Sequence, residues 1–123
     1  MDYNMSFIPD FQWQDQDSTH VHANNTDEQD VIEIIVSSDF LQVGSIILDL
    51  VNLTQNATIR TYVKIDDTNY RVVNTIDWTT SDGDGVIAIN ELFTDHDMKV
   101  TLQSSVTEGA SRDVPYTAVY GVI

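Results

Sequence analysis

The stretch of the sequence with the clearest spacing for chemistry is residues 80–91, which is rich in carboxylates and glycines. Counted as a twelve-residue calcium-binding loop, it has Asp82 at the third position, Asp84 at the fifth and Glu91 at the twelfth, where such loops need oxygen ligands. Gly85 stands at the sixth position, where the loop must turn sharply. Asp82, Asp84 and Glu91 are therefore candidate ligands of a calcium ion, the cofactor that the sequence indicates.

Two departures from this pattern favour a loop without a metal. Thr80 stands at the first position, where a calcium loop has Asp, and residues 69–78 before the loop alternate like a strand instead of an entering helix. An Asp-Gly-Asp-Gly turn between two strands needs no ion, because Asp and Gly readily adopt turn conformations. Both interpretations stay open from the sequence.

A second set of metal-ligating types is His20 and His22, whose spacing places both imidazoles on one side of a short predicted strand. Two such histidines could contribute to a zinc site, but zinc needs three or four converging ligands. The sequence shows no third ligand near them, so we favour a structural role for both.

The motifs of catalysis are absent from the sequence. It contains no cysteine, no Gly-x-Ser-x-Gly, no His-Glu-x-x-His and no phosphate-binding glycine motif. Its many carboxylates could pair, but such a pair becomes catalytic only through a spatial separation and a raised pKa that sequence does not reveal. We predict that the protein is not an enzyme.

The charge of the chain constrains its partners. Twenty acidic residues against five basic ones give a net charge of −15, so a phosphate backbone would find little basic surface and nucleic acid is not expected as a partner. Such a surface stays soluble in strong salt and predicts either a halophilic source or an acidic domain on a particle or cell surface. No apolar run reaches the roughly 18–20 residues of a membrane span, and the start of the sequence lacks the pattern of a signal peptide.

The elements that must position these residues are predicted to be strands, organised around a hairpin in residues 58–78. Two alternating runs flank the turn-forming residues 66–69, and further alternating runs recur at intervals of about ten residues. This pattern predicts an all-β fold, a single antiparallel β-sandwich or jelly-roll-like domain. A short helix over residues 89–93 is an alternative for one of the runs. The residues predicted to be buried are Ile34, Ile46, Leu48, Ile59, Val63, Val72, Ile76, Val100 and Leu102.

The beginning of the chain differs from the rest. Residues 1–13 are predicted to form an N-terminal extended anchoring arm, and residues 14–123 the β-sandwich domain. Phe7, Phe11 and Trp13 lie beside carboxylates, and aromatic side chains in that setting are expected to be covered by something. They are the predicted docking residues, either on an edge of their own domain or on a neighbouring subunit.

Four stretches taken together, residues 28–33, 46–50, 62–70 and 99–105, resemble small β-sandwich virion proteins of tailed viruses and related proviral regions. The shared order is a strand ending in an acid, a Leu-Asp-Leu strand, a Lys-Ile-Asp hairpin and a Val-Thr-Leu-Gln strand, over about residues 28–113. The resemblance implies a non-enzymatic component of the virion, such as a capsid decoration, turret or tail-accessory protein.

Two functional hypotheses follow. The first is a structural component of a virus particle that forms symmetric homo-oligomers on the virion surface, contacts other virion proteins such as the major capsid protein, and comes from an archaeal or halophilic host. The alternative is a calcium-stabilised carbohydrate- or cell-surface-binding β-sandwich module, with exposed aromatic residues such as Tyr3, Trp13 or Tyr62 stacking on host surface glycans.

Overall fold

Eight β-strands make up the part of the chain that the computed structural model describes, which is residues 12–35, 42–66, 68–81, 85–94 and 96–122. The strands are β1 (Gln12–His22), β2 (Gln29–Ile34), β3 (Gln42–Asp49), β4 (Ala57–Val63), β5 (Arg71–Trp78), β6 (Val86–Thr94), β7 (Met98–Ser104) and β8 (Arg112–Val122). Within these residues, no helix is long and apolar enough to cross a membrane.

The strands form two antiparallel sheets of four. The first sheet has the order β1-β8-β3-β6 and the second the order β2-β7-β4-β5, which confirms the predicted antiparallel β-sandwich. The pairs β1–β8, β2–β7, β3–β6 and β4–β5 are those of one long hairpin whose arms, β1 to β4 and β5 to β8, wind together around the core.

The core lies between the sheets and follows from the period-2 alternation of strands. In β3, Ile46 and Leu48 are 0% exposed, whereas Ile47 between them faces out and is 37% exposed. Burial of each such aliphatic side chain contributes about 1.5–3 kcal/mol to folding. The buried core consists of Val31, Ile32, Ile34, Ile46, Leu48, Leu50, Leu53, Ala57, Ile59, Trp78, Ile89, Met98, Val100, Leu102, Val114 and Ala118.

Most of the predicted buried residues are confirmed. Ile34, Ile46, Leu48, Ile59, Val100 and Leu102 are buried, and Val63 and Ile76 are partly buried against the core.

The prediction that Val72 is buried is wrong, because a β-bulge interrupts the pairing of β4 with β5. Thr61 pairs with Asn74 but Tyr62 pairs with Val72, so Val73 is an extra residue on β5. An extra residue reverses the facing of everything beyond it. Val72 therefore shares the outer face with Tyr62 and is 49% exposed.

Two further sequence expectations are corrected by the strands. The helix considered over residues 89–93 does not form, because β6 continues through it and pairs with β3, as in Ile46 with Ile89. The short strand around His20 and His22 is the end of an 11-residue strand, β1, which pairs along its whole length with β8. Residues 15–19 of this edge strand are polar and exposed, so this part of β1 lacks the apolar alternation by which strands are recognised.

The predicted turn between β4 and β5 is held by the side chain of Asp66. Its Oδ1 accepts hydrogen bonds from the backbone N–H groups of Thr68 at 3.1 Å and Asn69 at 2.7 Å. The bond from Asn69 has the largest effect on the Asp66 carboxyl, and together the two bonds lower its pKa to about 2. This is the local backbone capture for which Asp is favoured in turns.

A buried carboxylate, Glu108, ties together the loops at one end of the sandwich. Its Oε1 accepts from the Thr54 N–H at 2.7 Å and the Thr54 hydroxyl at 2.9 Å, and its Oε2 accepts from the Gln55 N–H at 3.0 Å. Arg112 Nε lies 3.5 Å from Oε1, and the Glu108 side chain is 0% exposed. Gly109 follows with a φ of +87°, which a residue with a side chain rarely adopts. The loop before β8 is thereby held against the loop before β4.

Replacing Glu108 by alanine tests this contact. Glu108→Ala removes three hydrogen bonds to a charged acceptor and leaves Arg112 without its carboxylate, so we expect the free energy of unfolding to fall by about 3 kcal/mol in urea titration. The control is Asp113→Ala, which removes an exposed carboxylate and should cost less than about 0.5 kcal/mol. Equal effects of the two substitutions would contradict a special role for Glu108.

Candidate functional site

The predicted calcium ligands are mostly beyond what the structure describes. Asp82 and Asp84 lie outside the described residues, and Glu91 lies in β6, a strand where a helix follows the calcium loop of the pattern. Gly85 has a reason to be glycine without any ion. A Cβ atom on Gly85 would lie 2.9 Å from the backbone N and Cα of Val51. The Gly85 carbonyl also accepts a hydrogen bond from the Leu50 N–H at 2.5 Å, which fixes this close approach. The calcium site stays a prediction.

The two histidines form a hydrogen-bonded chain that ends inside the sandwich. His22 is fully buried, with its Nε2 2.7 Å from the Ser104 hydroxyl and its Nδ1 3.3 Å from His20 Nε2. Both ring nitrogens of His22 are thus engaged by protein atoms. Among the described residues, no group of three or more His, Asp or Glu side chains is placed to hold a metal ion.

His22 and Ser104 are also the residue types of a nucleophile and its base. Ser104 is 2% exposed and His22 0% exposed, so a substrate could not reach either of them. The pair is an internal polar contact that satisfies two buried groups, as buried polar groups require.

Burial sets the protonation behaviour of both histidines. Removal from water lowers the pKa of His22, and the nearby Glu108 carboxylate opposes this only in part. Burial also lowers the pKa of His20, and the charge that His22 would carry lowers it further. Both imidazoles are therefore neutral in the folded protein near pH 7.

The outer face of the second sheet carries a cluster that we call the cation–tyrosine surface, formed by Tyr62, Tyr70, Lys64 and Lys99. The two rings meet edge to face with centroids 6.5 Å apart. Lys99 Nζ lies 5.2 Å from the centroid of Tyr62 and 4.9 Å from that of Tyr70, and Lys64 Nζ lies 4.9 Å from that of Tyr70. These distances are those of cation–π contacts.

Carboxylates from β2 and the loop before it hold this surface in place. The Tyr70 hydroxyl donates to Glu33 Oε2 at 2.6 Å, and the Tyr62 hydroxyl donates to Glu28, which also accepts from the Thr101 hydroxyl at 2.5 Å. Burial, then the bond to Glu33, raises the pKa of Tyr70. Burial acts to raise the pKa of Glu28, but its hydrogen bonds and nearby cations outweigh burial and lower it.

Every basic side chain of the protein has an acidic neighbour. The pairs are Arg60–Glu28 at 3.5 Å, Lys64–Asp97 at 3.9 Å, Arg71–Asp66 at 3.8 Å, Lys99–Asp30 at 3.3 Å and Arg112–Glu108 at 3.5 Å. The cation–tyrosine surface is therefore a network closed on itself. Because Lys99 lies over the ring of Tyr62, that ring is not the free stacking platform that the glycan-binding alternative considered.

The outer face of the first sheet has a different character. A shallow groove there is lined by residues that include Asp17, Ile47, Asp49 and Pro115. Asp17 accepts a hydrogen bond from the Thr117 hydroxyl, and Asp49 accepts one from the Val51 N–H at 3.1 Å. Both carboxylates are thus already used in part by the protein, and the groove has no built ligand site.

The free edge of β5 was not identified from the sequence as a candidate surface. β5 pairs with β4 on one side and is the last strand of its sheet among the described residues. Val72 is 49% and Val73 52% exposed on it. A signal was available, because consecutive residues of a regular strand point to opposite faces, so at least one of the β-branched residues Val72 and Val73 was expected to face outward.

The predicted docking residues fall at the limit of the description. Phe7 and Phe11 lie outside the described residues, while Trp13 belongs to β1, where it pairs with Gly121. β1 begins at Gln12, so the last two residues of the predicted arm are part of the first strand. The docking role of the arm stays a prediction.

Comparison with known proteins finds solved structures with a similar fold but no similar sequence. The sequence matches no protein-family model, and no curated protein is significantly similar to it. The fold is similar to that of a protein of Bacillus endospore appendages, described as a novel family of disulfide-linked pili, with a TM-score of 0.60 and 14% identity over 89% of this chain and 86% of that one.

Two further solved structures have the same fold. One is from the acid-stable capsid of the Helicobacter pylori bacteriophage KHP30, with a TM-score of 0.53 and 10% identity over 92% of this chain and 93% of that one. The other is PirA, with a TM-score of 0.52 and 15% identity over 85% of this chain and 92% of that one. At these identities the similarity establishes the fold alone. The proteins with this fold include a component of a phage capsid and one of endospore appendages.

The buried histidines predict a loss of stability in mild acid. Because the pKa values of His20 and His22 are lowered in the folded protein, the unfolded chain binds more protons as the pH falls below about 6.5. The melting temperature should therefore fall between pH 7.5 and pH 5.5, above the range where carboxylates titrate. His22→Asn should flatten this dependence, whereas the control His96→Gln should keep it. An unchanged pH profile in His22→Asn would contradict the assignment.

The calcium prediction is tested by measuring the melting temperature with and without calcium. If residues 80–91 bind calcium, the melting temperature should rise with calcium relative to a chelator, and Asp84→Ala should abolish this rise. The control is Asp113→Ala, which should keep it. Equal melting temperatures of the unchanged protein in calcium and in chelator would remove the calcium site.

Proposed function

We propose that the protein is a non-enzymatic structural component of a virus particle that assembles as symmetric oligomers. A capsid decoration, a turret or a tail-accessory protein of an archaeal or halophilic host fits this role, with a place on the virion surface. Its partners would be other copies of the chain and virion proteins such as the major capsid protein.

The observation that carries the proposal is the extent of the similarity to the phage capsid protein. It covers 92% of this chain and 93% of that one, so a single sandwich of this size is the whole of the shared unit. The appendage protein shares 89% of this chain in the same way. Both neighbours belong to assemblies, and the sequence motifs resemble virion β-sandwich proteins independently of the fold.

The chemistry of the described residues agrees with a structural role. Three buried polar residues are of types that also occur in catalytic sites: His22, Ser104 and Glu108. His22 hydrogen-bonds to Ser104, Glu108 accepts a hydrogen bond from Thr54, and all three are closed to solvent. The exposed polar clusters are ion pairs and turn contacts. For a glycan-binding module, the ring of Tyr62 is a poorer platform than a free tyrosine, because Lys99 Nζ lies over one of its faces.

Charge determines how copies could come together. All five basic side chains are paired within the chain, so the excess of 15 acidic charges is not neutralised locally. Copies repel over a Debye length of about 10 Å at 0.1 M salt but only about 3 Å at 1 M. Assembly is thus expected at high salt and through apolar contacts, for which Phe7, Phe11 and Trp13 are the candidates. Without cysteine in this sequence, these contacts cannot be disulfides, unlike those of the disulfide-linked appendage.

Deleting residues 1–11 tests this function. The sandwich should stay folded, because β1 begins at Gln12, but the oligomer should be lost, since burial of two aromatic rings contributes several kcal/mol at about 25 cal/mol per Å² of apolar area. Circular dichroism would report the fold, and light scattering in 1 M and 0.1 M salt the molar mass.

The matched control for this deletion is the double substitution Asp2→Asn and Asp10→Asn, which changes the charge of the segment and keeps its aromatic residues. It should assemble at least as well as the unchanged protein. Unfolding of the truncated protein would mean that the segment is a strand of its own domain. Normal assembly of the truncated protein would place the interface on the sandwich.

A further inference from the structure

We propose that residues 2–7 of one copy add as a strand to the free edge of β5 in a second copy. The inference rests on the proposed function, which it deepens by naming the surface on which the N-terminal segment docks. It follows from the character of the β5 edge, from the pattern of the segment, and from the position of β1 in the sandwich.

The β5 edge presents an unprotected row of backbone groups. In the described part of the chain, β4 is the one strand paired with β5, so the N–H and C=O groups of residues 72–76 that point away from β4 face no described strand. Residues 72–76 carry no charge, and the bulge at Val73 adds exposed apolar surface, with Val72 and Val73 49% and 52% exposed. Edge strands with these properties attract another strand unless something covers them.

The other free edges are less suitable. β1 carries Asp15 and Asp17, and β2 carries Asp30 and Glu33, so a second acidic chain would be repelled from both. β6, the remaining edge, contains Glu91 and no basic residue, whereas in β5 the charge of Asp77 is balanced by that of Arg71. In a chain with a charge of −15, the uncharged span of β5 is the edge on which a further segment of the same chain meets least repulsion.

The N-terminal segment has the alternating pattern of a half-buried strand. Its polar residues Asp2, Asn4 and Ser6 alternate with Tyr3, Met5 and Phe7, which is the period of a half-buried strand. Pro9 then ends it, because proline cannot donate to a ladder. The six alternating residues are one longer than the five-residue uncharged span of β5, and one face of such a strand would cover Val72 and Val73. Strand addition at a free edge is a common mode of peptide binding.

The position of β1 favours a second copy over the same chain. β1 is at one edge of the first sheet, and three inter-strand steps, about 14 Å, separate it from β6 at the other edge. β5 is the corresponding far strand of the second sheet, joined to β6 by residues 79–85. Residues 8–11 would have to span this width fully extended, at about 3.3–3.6 Å per residue, and Pro9 restricts them. A neighbouring copy imposes no such span.

Cross-linking between two single-cysteine proteins tests the proposal, because the natural chain has no cysteine. Full-length Met5→Cys, labelled with a heavy isotope, is mixed with full-length unlabelled Val73→Cys in 1 M salt under mild oxidation. Intact mass spectrometry then identifies the mixed dimer. The controls replace the second protein by Val86→Cys on β6 or Val106→Cys in the loop after β7, whose valines are 53% and 49% exposed.

We expect the Met5–Val73 mixed dimer to exceed either control dimer by at least about tenfold, as a difference of roughly 1.4 kcal/mol in association would give. Equal cross-linking to Val86 or Val106, or none to Val73, would overturn the docking on β5. A double variant Met5→Cys and Val73→Cys that forms its disulfide within one chain, with no mixed dimer between the single variants, would overturn the exchange between copies.

Light scattering on the same unoxidised samples separates this inference from the proposed function. Oligomers without the Met5–Val73 cross-link mean that the protein assembles through another surface, so the inference fails and the function stands. Monomers in 0.1 M and 1 M salt, for the unchanged protein and all variants, mean that both fail.

Discussion

The buried carboxylate of Glu108 is the contact on which one end of the sandwich depends. It accepts three hydrogen bonds from Thr54 and Gln55, and Gly109 beside it donates its N–H to Asn24 at 2.9 Å. Loops before β2, β4 and β8 are thus held by two adjacent residues. A buried charge is tolerated only when it is paired and fully bonded, so this arrangement fixes where each of these loops must lie, and with them the strands that follow.

The excess of acidic residues affects contacts within the chain and contacts with other molecules in different ways. The few basic residues are all used within the chain, four of them on or beside the outer face of the second sheet, where they bind carboxylates and lie over tyrosine rings. Exposed ion pairs of this kind contribute little to stability individually. Because every basic side chain is paired in this way, no positive surface is left free for an acidic partner, and the assembly that we propose would have to rest on apolar groups and backbone pairing.

Alternation in the sequence was sufficient to predict the fold class and most strands, because a half-buried strand must expose every second residue. It failed where the rule is locally suspended: at Val73, where a bulge reverses the facing of Val72, and in β1, whose exposed side chains show no alternation. Neither the contact of Glu108 with Thr54 nor that of His22 with Ser104 could be predicted, since each joins residues that are far apart in sequence. The predicted residues Asp82, Asp84, Phe7 and Phe11 lie outside the described residues.

The pairing of β1 with β8 has a consequence for the order of events in the cell. Gln12 pairs with Val122 and His22 with Arg112, so the first strand finds its partner only when the last one has been made. Closing so long a loop costs entropy, and folds dominated by such non-local pairs form slowly. During synthesis β1 has no partner strand until β8 has been made. A nascent chain therefore completes the edge of the first sheet at β1 only after β8 has left the ribosome.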